Sequence, residues 1–404
     1  MKAYSYHPCS ENEQPVPIPS APAIKITENI LLQPPLSRRG TGPGLILFLS
    51  SPDRILPSSK TPHLLDPEPT TKWAEEGYGV TSITGVESSD IEQALTKALD
   101  ALQNLEQVDT KDKFGVIVYE PKLVFPVSEA VAKDPRLVAY VGYGSFASPA
   151  LTIPITLHLT ANAPRPVNPP STVTKVYTYY STSAFFVLPQ SSKYDPGASS
   201  QAHNRTLAFI RKALGGPTFD LDAIWEEHCY YEFELKSLAK TMATMVAEPY
   251  VNHIPTMTGG IGREQLTAFY RDHFIFANPD VVLQPISRTV GLDRVVDEFV
   301  FELTHDRVVD WLLPGVQPTG KKLLIPMTAI VAFRGDRLYN EHIHWDQATV
   351  LRQAGILPTH LPLPSGGSLR LPVAGVESAE MLSDPSSHNS NEMMSSEWIE
   401  AKTT

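Results

Sequence analysis

Cysteine is nearly absent from this chain: 404 residues hold only Cys9 and Cys229. Two thiols cannot build a disulfide framework, and a reducing, cytoplasmic setting is the expectation. Long apolar runs are missing as well. No segment approaches the roughly 18 residues that a membrane span needs. The opening MKAYSYHPCSENEQ has no apolar core, so a secretory signal is not expected. Without one, the glycosylation sequon Asn204-Arg205-Thr206 carries no weight. Basic charge is also scarce. Lys and Arg number 33 against 44 Asp and Glu, which leaves a net charge of −11 and a pI near 5.6. No basic run exists to meet nucleic acid or an anionic membrane, so neither is expected as a partner.

What is present is the composition of a globular protein, 42% apolar and 19% charged. The length suggests two domains. The 37 prolines gather in the first 70 residues, at 162–170 and near 358–372, and mark arms and linkers. Residues 1–42 read as an extended arm. From 43 to 215, strands at Gly44–Leu49, Tyr78–Ile83, Phe114–Tyr119, Leu137–Tyr143 and Ile153–Leu159 alternate with helices. Asp90 is the expected cap of one of these helices, which carries Ile91, Leu95, Ala98, Leu102 and Leu105 at helical spacing. Such alternation predicts an α/β domain with a mostly parallel sheet.

The Gly77-Tyr78 step, the strand-turn unit at 114–122, Ile153-Pro154 and the closing segment from Tyr194 to Leu214 resemble the α/β-hydrolase fold, and within it the dienelactone hydrolases. That family needs a nucleophile on a sharp strand-to-helix turn. Here Glu120-Pro121-Lys122 follows the strand, and no Gly-x-Ser-x-Gly exists anywhere. A degenerate, catalytically silent hydrolase-like domain is expected. His203 reads as a surface or helix-start histidine, and Gly144-Ser145-Phe146 reads as a turn.

Gly215-Gly216-Pro217 ends that half. The second half, 216–360, reads as helices followed by antiparallel strands, an α+β cone-shaped barrel. A long helix is expected from Asp220 to about Val246, with His228 and Glu232 as satisfied polar groups on its core stripe. A second helix follows from Arg263 to about Phe274. Strands are expected at Gln284–Thr289, Arg294–His305 and Leu324–Phe333. A Gly335-Asp336 turn then leads into a last strand from Arg337 to Asp346. Along that strand the period of two puts Leu338, Asn340, His342, His344 and Asp346 on one face. This polar file is the expected lining of a cavity where protons are moved. The same three donors, His342, His344 and Asp346, could instead be offered to a metal. Alternate strand positions sit about 7 Å apart, however, too far to converge on one ion. Residues 361–404 are expected to be a disordered tail.

Tyr250-Val-Asn-His253-Ile-Pro255, Thr304-His305, Pro318-Thr-Gly-Lys321 and the set Asp346, Leu351, Gln353, Gly355 are together similar to the SnoaL-like polyketide cyclases. These belong to the wider nuclear-transport-factor-like (NTF2-like) fold. The resemblance implies general acid/base chemistry on a polyketide-like or aromatic carbonyl compound, without cofactor or metal, and a homodimer. It carries the acid/base role to Asp346 and the histidine after the first helix to His253. His344 or His342 would relay the proton, and Asp297 is a further candidate carboxylate. Tyr250, Met257, Phe269, Arg288, Glu298, His305 and Trp311 are the expected substrate contacts. The joined architecture resembles fungal two-domain proteins of secondary metabolism. Aldol cyclisation, isomerisation, dehydration and hydrolysis all lie within the fold's range. The competing readings are a binding or scaffold protein made of two worn-out enzyme folds, or a dienelactone-type hydrolase.

Overall fold

The computed structural model describes residues 5–55, 65–163, 174–181, 183–278, 280–364, 366–395 and 398. The chain divides into two units, Ile18–Asp220 with Arg334–Arg337, and Met1–Pro17 with Leu221–Phe333 and Leu338–Thr404.

The first unit is a mixed eight-stranded sheet flanked by helices. Its strands are β1 (Ile24–Thr27), β2 (Ile30–Gln33), β3 (Gly44–Leu49), β4 (Gly79–Thr84), β5 (Phe114–Val118), β6 (Leu137–Tyr143), β7 (Ile155–Thr160) and β8 (Thr174–Tyr179), in the order β1-β2-β4-β3-β5-β6-β7-β8. From β4 onward every pairing is parallel, whereas β2 runs antiparallel to both β1 and β4. The run Leu45–Phe48 is fully buried, as a strand covered on both faces must be. Helices α1 (Pro69–Glu75), α2 (Ile91–Asn104), α3 (Val124–Val131) and α4 (Pro196–Leu214) cover the sheet. The apolar stripe of α2, from Ile91 to Leu102, packs on Phe114, Val116 and Ile46.

Part of the expected arm is therefore sheet. Residues 24–33 add two strands that their prolines on either side had masked. At the turn between β5 and α3, buried Glu120 accepts a hydrogen bond from the Lys122 N–H at 3.2 Å. Arg334–Arg337 belong to this unit through specific polar contacts. The Asp336 carboxylate accepts from the Arg38 and Arg39 N–H groups at 3.0 and 3.1 Å, and Gly335 N–H donates to Glu76. Gly335 has φ +61°, and a Cβ there would lie 2.1 Å from the Glu75 carbonyl oxygen, so no other residue fits this turn.

The second unit is a six-stranded sheet with helices against one face. Helix α5 (Leu221–Cys229) runs into a π-helical turn, Tyr230–Glu234, and α6 (Leu238–Ala243) follows. The single long helix expected to Val246 is thus broken. Lys236 takes φ +52°, Ser237 caps α6 by accepting from Lys240 N–H, and the chain enters β9 (Met245–His253). Next come β10 (Thr258–Ile261), then α7 (Gly262–Phe269) with its own π turn, Tyr270–Phe274. The strands β11 (Val282–Val290), β12 (Arg294–Thr304), β13 (Lys322–Arg334) and β14 (Arg337–Trp345) complete a sheet of order β10-β9-β14-β13-β12-β11. Helix α8 (Gln347–Ala354) closes the fold proper. The following segment is not structureless, as had been expected. It carries a short hairpin, β15 (His360–Pro362) with β16 (Ser368–Arg370), and α9 (Glu377–Ser383). Arg352 and Gln353 of α8 hold this segment by donating to the Val373 and Gly375 carbonyls. No helix among the described residues is long and apolar enough to cross a membrane.

Candidate active site

A cavity of about 810 Å³ opens in the second unit, between α5, the two π turns and the inner face of the sheet. Its size suits a small organic molecule. Val251 and His253 of β9, Asp297, Phe299 and Phe301 of β12, Met327 and Ala329 of β13, and Glu341 and Ile343 of β14 point into it at alternate positions. On β11 the alternation Leu283, Pro285 is interrupted by an irregularity between Pro285 and Ser287. That bulge turns Arg288, rather than Ser287, inward against Asp297.

One wall holds a buried acid/base cluster. His228 on α5 places Nε2 at 3.1 Å from Glu232 Oε1 and 3.3 Å from Glu341 Oε1. Its Nδ1 meets the Thr244 hydroxyl at 2.6 Å. Tyr270 O–H donates to Glu341 Oε1 at 3.5 Å. All four side chains, His228, Glu232, Tyr270 and Glu341, are essentially sealed from solvent. The two π turns supply Glu232 and Tyr270, and single π turns are frequent at functional sites. The His228 Nε2 and Glu232 Oε1 atoms lie at ion-pair distance without an aligned hydrogen bond.

The electrostatics follow from burial against charge. Burial alone would lower the pKa of His228, but the charges of Glu232 and Glu341 outweigh it and push the ring up to about 10. Burial raises Glu341 above the ordinary carboxylate range, against the opposing pull of His228. Burial likewise lifts the Tyr270 phenol and the Cys229 thiol, so both stay protonated and the thiol is inert.

The opposite wall is an ion pair. Asp297 accepts from Arg288 Nε at 3.0 Å and Nη2 at 2.9 Å, and from Trp225 Nε1 at 2.8 Å. These bonds, with Asp222 and Glu226 beside it, raise the pKa of Arg288 further. Trp311 and Phe274 pack around His253, with ring centroids 4.8 and 5.4 Å from its imidazole. Burial among them pushes His253 down to about 3, so it is neutral. Among the described residues, no group of three or more His, Cys, Asp and Glu side chains is arranged to hold a metal ion.

No family model matches the chain, and no curated protein matches it. Among solved structures, it is similar to a protein with a ketosteroid isomerase-like fold from Catenulispora acidiphila. That similarity has 14% identity, 35% of this chain, 96% of that one and a TM-score of 0.27. A protein described as a SnoaL-like polyketide cyclase from Jannaschia sp. CCS1 is 18% identical over 36% of this chain and 100% of that one, with a TM-score of 0.29. The epoxide hydrolase/cyclase-like enzyme SalBIII, of salinomycin pyran ring formation, is 12% identical over 31% and 89%, with a TM-score of 0.25.

Of the residues singled out in the sequence, the structure brings His253, Asp297, Arg288 and Trp311 to the cavity. The polar file on β14 is a correction. Its inner face is the other one, carrying Glu341, Ile343 and Trp345, because two large apolar side chains decide which face is buried. His344 is exposed, and His342 is half-buried against the Tyr250 hydroxyl on the outer face. Asp346 does not reach the cavity. It caps α8, accepting from Ala348 and Thr349 N–H at 3.3 and 3.0 Å.

The other expected contacts fall elsewhere too. Met257 is 87% exposed, with φ +55°. Glu298 accepts from Ser287 on the far face of β12. His305 is buried against Thr319 in the following loop. Phe269 stacks behind His253 and Tyr250 bonds outward, and neither lines the cavity. Glu341 and Tyr270 were not singled out in the sequence, and His228 and Glu232 were read only as satisfied polar groups on a helix stripe. Glu341 is the one carboxylate among Tyr339, Glu341, Ile343 and Trp345, which share that face of β14, and that was the available signal.

Proposed function

We propose that the chain is an enzyme that moves protons on a small, largely apolar carbonyl compound in the second unit's cavity. The reaction is of the cyclase or isomerase type. One observation supports this above the rest: Glu341, Glu232, His228 and Tyr270 form a dry acid/base cluster that opens on an aromatic-walled cavity. A carboxyl raised by desolvation is suited to take a proton alpha to a carbonyl near neutral pH. In this reading Glu341 is that base. The neutral Tyr270 hydroxyl donates to the developing enolate oxygen. His228, cationic and fixed by Thr244, holds Glu341 in position. The first unit, whose β5 turn carries Glu120 in place of a nucleophile, is a hydrolase-like fold without that chemistry.

The test is exchange of alpha protons for deuterium in D2O, followed by NMR on a panel of aryl ketones and cyclic β-diketones. The wild-type protein is expected to accelerate exchange on at least one member. Glu341→Gln is expected to lose about 100-fold or more of that rate. Equal rates in the two proteins would remove Glu341 from the chemistry.

A further inference from the structure

Two buried carboxylates meet one imidazole in the cavity wall, and the hydrogen bonds around that ring fix where its protons sit. Thr244 O–H donates to the Thr241 carbonyl at 2.7 Å. The Thr244 oxygen therefore accepts, at 2.6 Å, from His228 Nδ1, which carries a proton. Nε2 stands 3.1 Å from Glu232 Oε1 and 3.3 Å from Glu341 Oε1, with an aligned hydrogen bond to neither. A lone pair there would face two acceptors, so Nε2 carries a proton as well and the ring is a cation. Tyr270 O–H reaches the same two carboxylates. Beside Glu341 the neighbouring strands bring Val251, neutral His253, Met327 and Ala329 to the cavity. The Cys229 thiol stays protonated, and across the cavity Arg288 is paired with Asp297.

Charge balance gives Glu232 a role. With both carboxyls ionised, the cluster sets one positive charge against two negative ones. When Glu341 takes a proton, Glu232 and the His228 cation remain as a matched pair, and the sealed wall goes from a net negative charge to neutrality. Without Glu232 the same step would leave a buried cation unmatched. We propose that Glu232 is a positioning residue that makes Glu341 the stronger base. It acts through the His228 Nε2–H, which turns to Glu232 alone once Glu341 is protonated. This deepens the acid/base reading of the cavity and rests on Glu341 being the base. In the step itself the C–H proton passes to a Glu341 oxygen, and its electron pair stays on the substrate as the enolate. His228 keeps both of its N–H protons throughout.

The test is a pH titration of the ligand-free full chain, with Glu341 followed by carboxyl carbon-13 NMR and the His228 ring by nitrogen-15 NMR. The Glu341 signal is assigned by its absence in Glu341→Gln. In the wild-type chain the Nε2 signal is expected to shift with the Glu341 midpoint while the ring stays protonated. In Glu232→Gln the Glu341 midpoint is expected to fall by about one pH unit, a tenfold weaker base. Glu232→Asp, which keeps the charge, is expected to recover about half of that fall or more. The acid limb of alpha-proton exchange is expected to move down with the midpoint. A Glu341 midpoint that stays or rises in Glu232→Gln, an equal fall in Glu232→Asp, or an Nε2 signal indifferent to Glu341 would each overturn the proposal. The last of these needs only the wild-type chain, so a variant that fails to fold leaves the question decidable. Because the titration uses no substrate, it can fail while exchange succeeds. Absence of exchange on every ketone of the panel would instead count against the acid/base reading, whatever the midpoints do.

Discussion

Glu341 and His228 titrate as a coupled pair, and both pKa values are raised, which makes a pH signature. Proton abstraction requires Glu341 ionised, so the rate falls as pH falls through a value above the ordinary glutamate range. It falls again as pH rises through about 10, where His228 loses its proton. The profile of deuterium exchange is expected to be a bell with these limbs. The stability sign agrees. A histidine raised from 6.5 to about 10 contributes stability that is full below 6.5 and lost as pH rises through 10. His253 does the opposite. Its pKa is lowered to about 3, so its neutral burial weakens the fold as pH falls from 6.5 toward 3. Nitrogen-15 NMR of the His228 ring should show it protonated at pH 8. A neutral ring there would contradict the cluster's electrostatics.

Element boundaries explain what the sequence concealed. The carboxylate of Asp346 was legible as chemistry because it ends a polar file, yet a strand that runs into a helix needs a cap at that residue. Asp346 accepts from two N–H groups and the Thr349 hydroxyl. Asp346→Ala is expected to cost about 1 kcal/mol of stability, read by denaturant unfolding, and to leave exchange unchanged. At α6 a residue distant in sequence adds to the Ser237 cap. Glu13 accepts from Leu238 and Ala239 N–H, each at 2.9 Å. Glu13→Ala is expected to lower stability by about 1–2 kcal/mol. Periodicity could not reveal either the bulge that turns Arg288 inward or the π turns that carry Glu232 and Tyr270. Each inserts one residue and shifts the face of everything beyond it. The alternation of Asp297, Phe299 and Phe301 on β12 was visible but left open whether Asp297 or Glu298 faces inward, and the structure turns Asp297 to the cavity.

At the scale of the whole molecule, the alternation of strands and helices was readable; the sequence places a break at Gly215–Pro217, and the structure's division falls at Asp220–Leu221. Strands β1, β2 and β8 were not, since they are short and bordered by proline-rich sequence. The assignment of Arg334–Arg337 to the first unit was equally hidden, because it depends on partners near residues 38, 75 and 76. The location of the chemistry is the claim on which the rest depends, and two variants of one strand end separate the possibilities. The measurement is the alpha-proton exchange rate of Glu341→Gln and Asp346→Asn beside the wild-type chain, with folding checked by circular dichroism. The account predicts that Glu341→Gln loses exchange while Asp346→Asn keeps the wild-type rate. Loss in Asp346→Asn with full activity in Glu341→Gln would contradict it and return the chemistry to the outer face of β14.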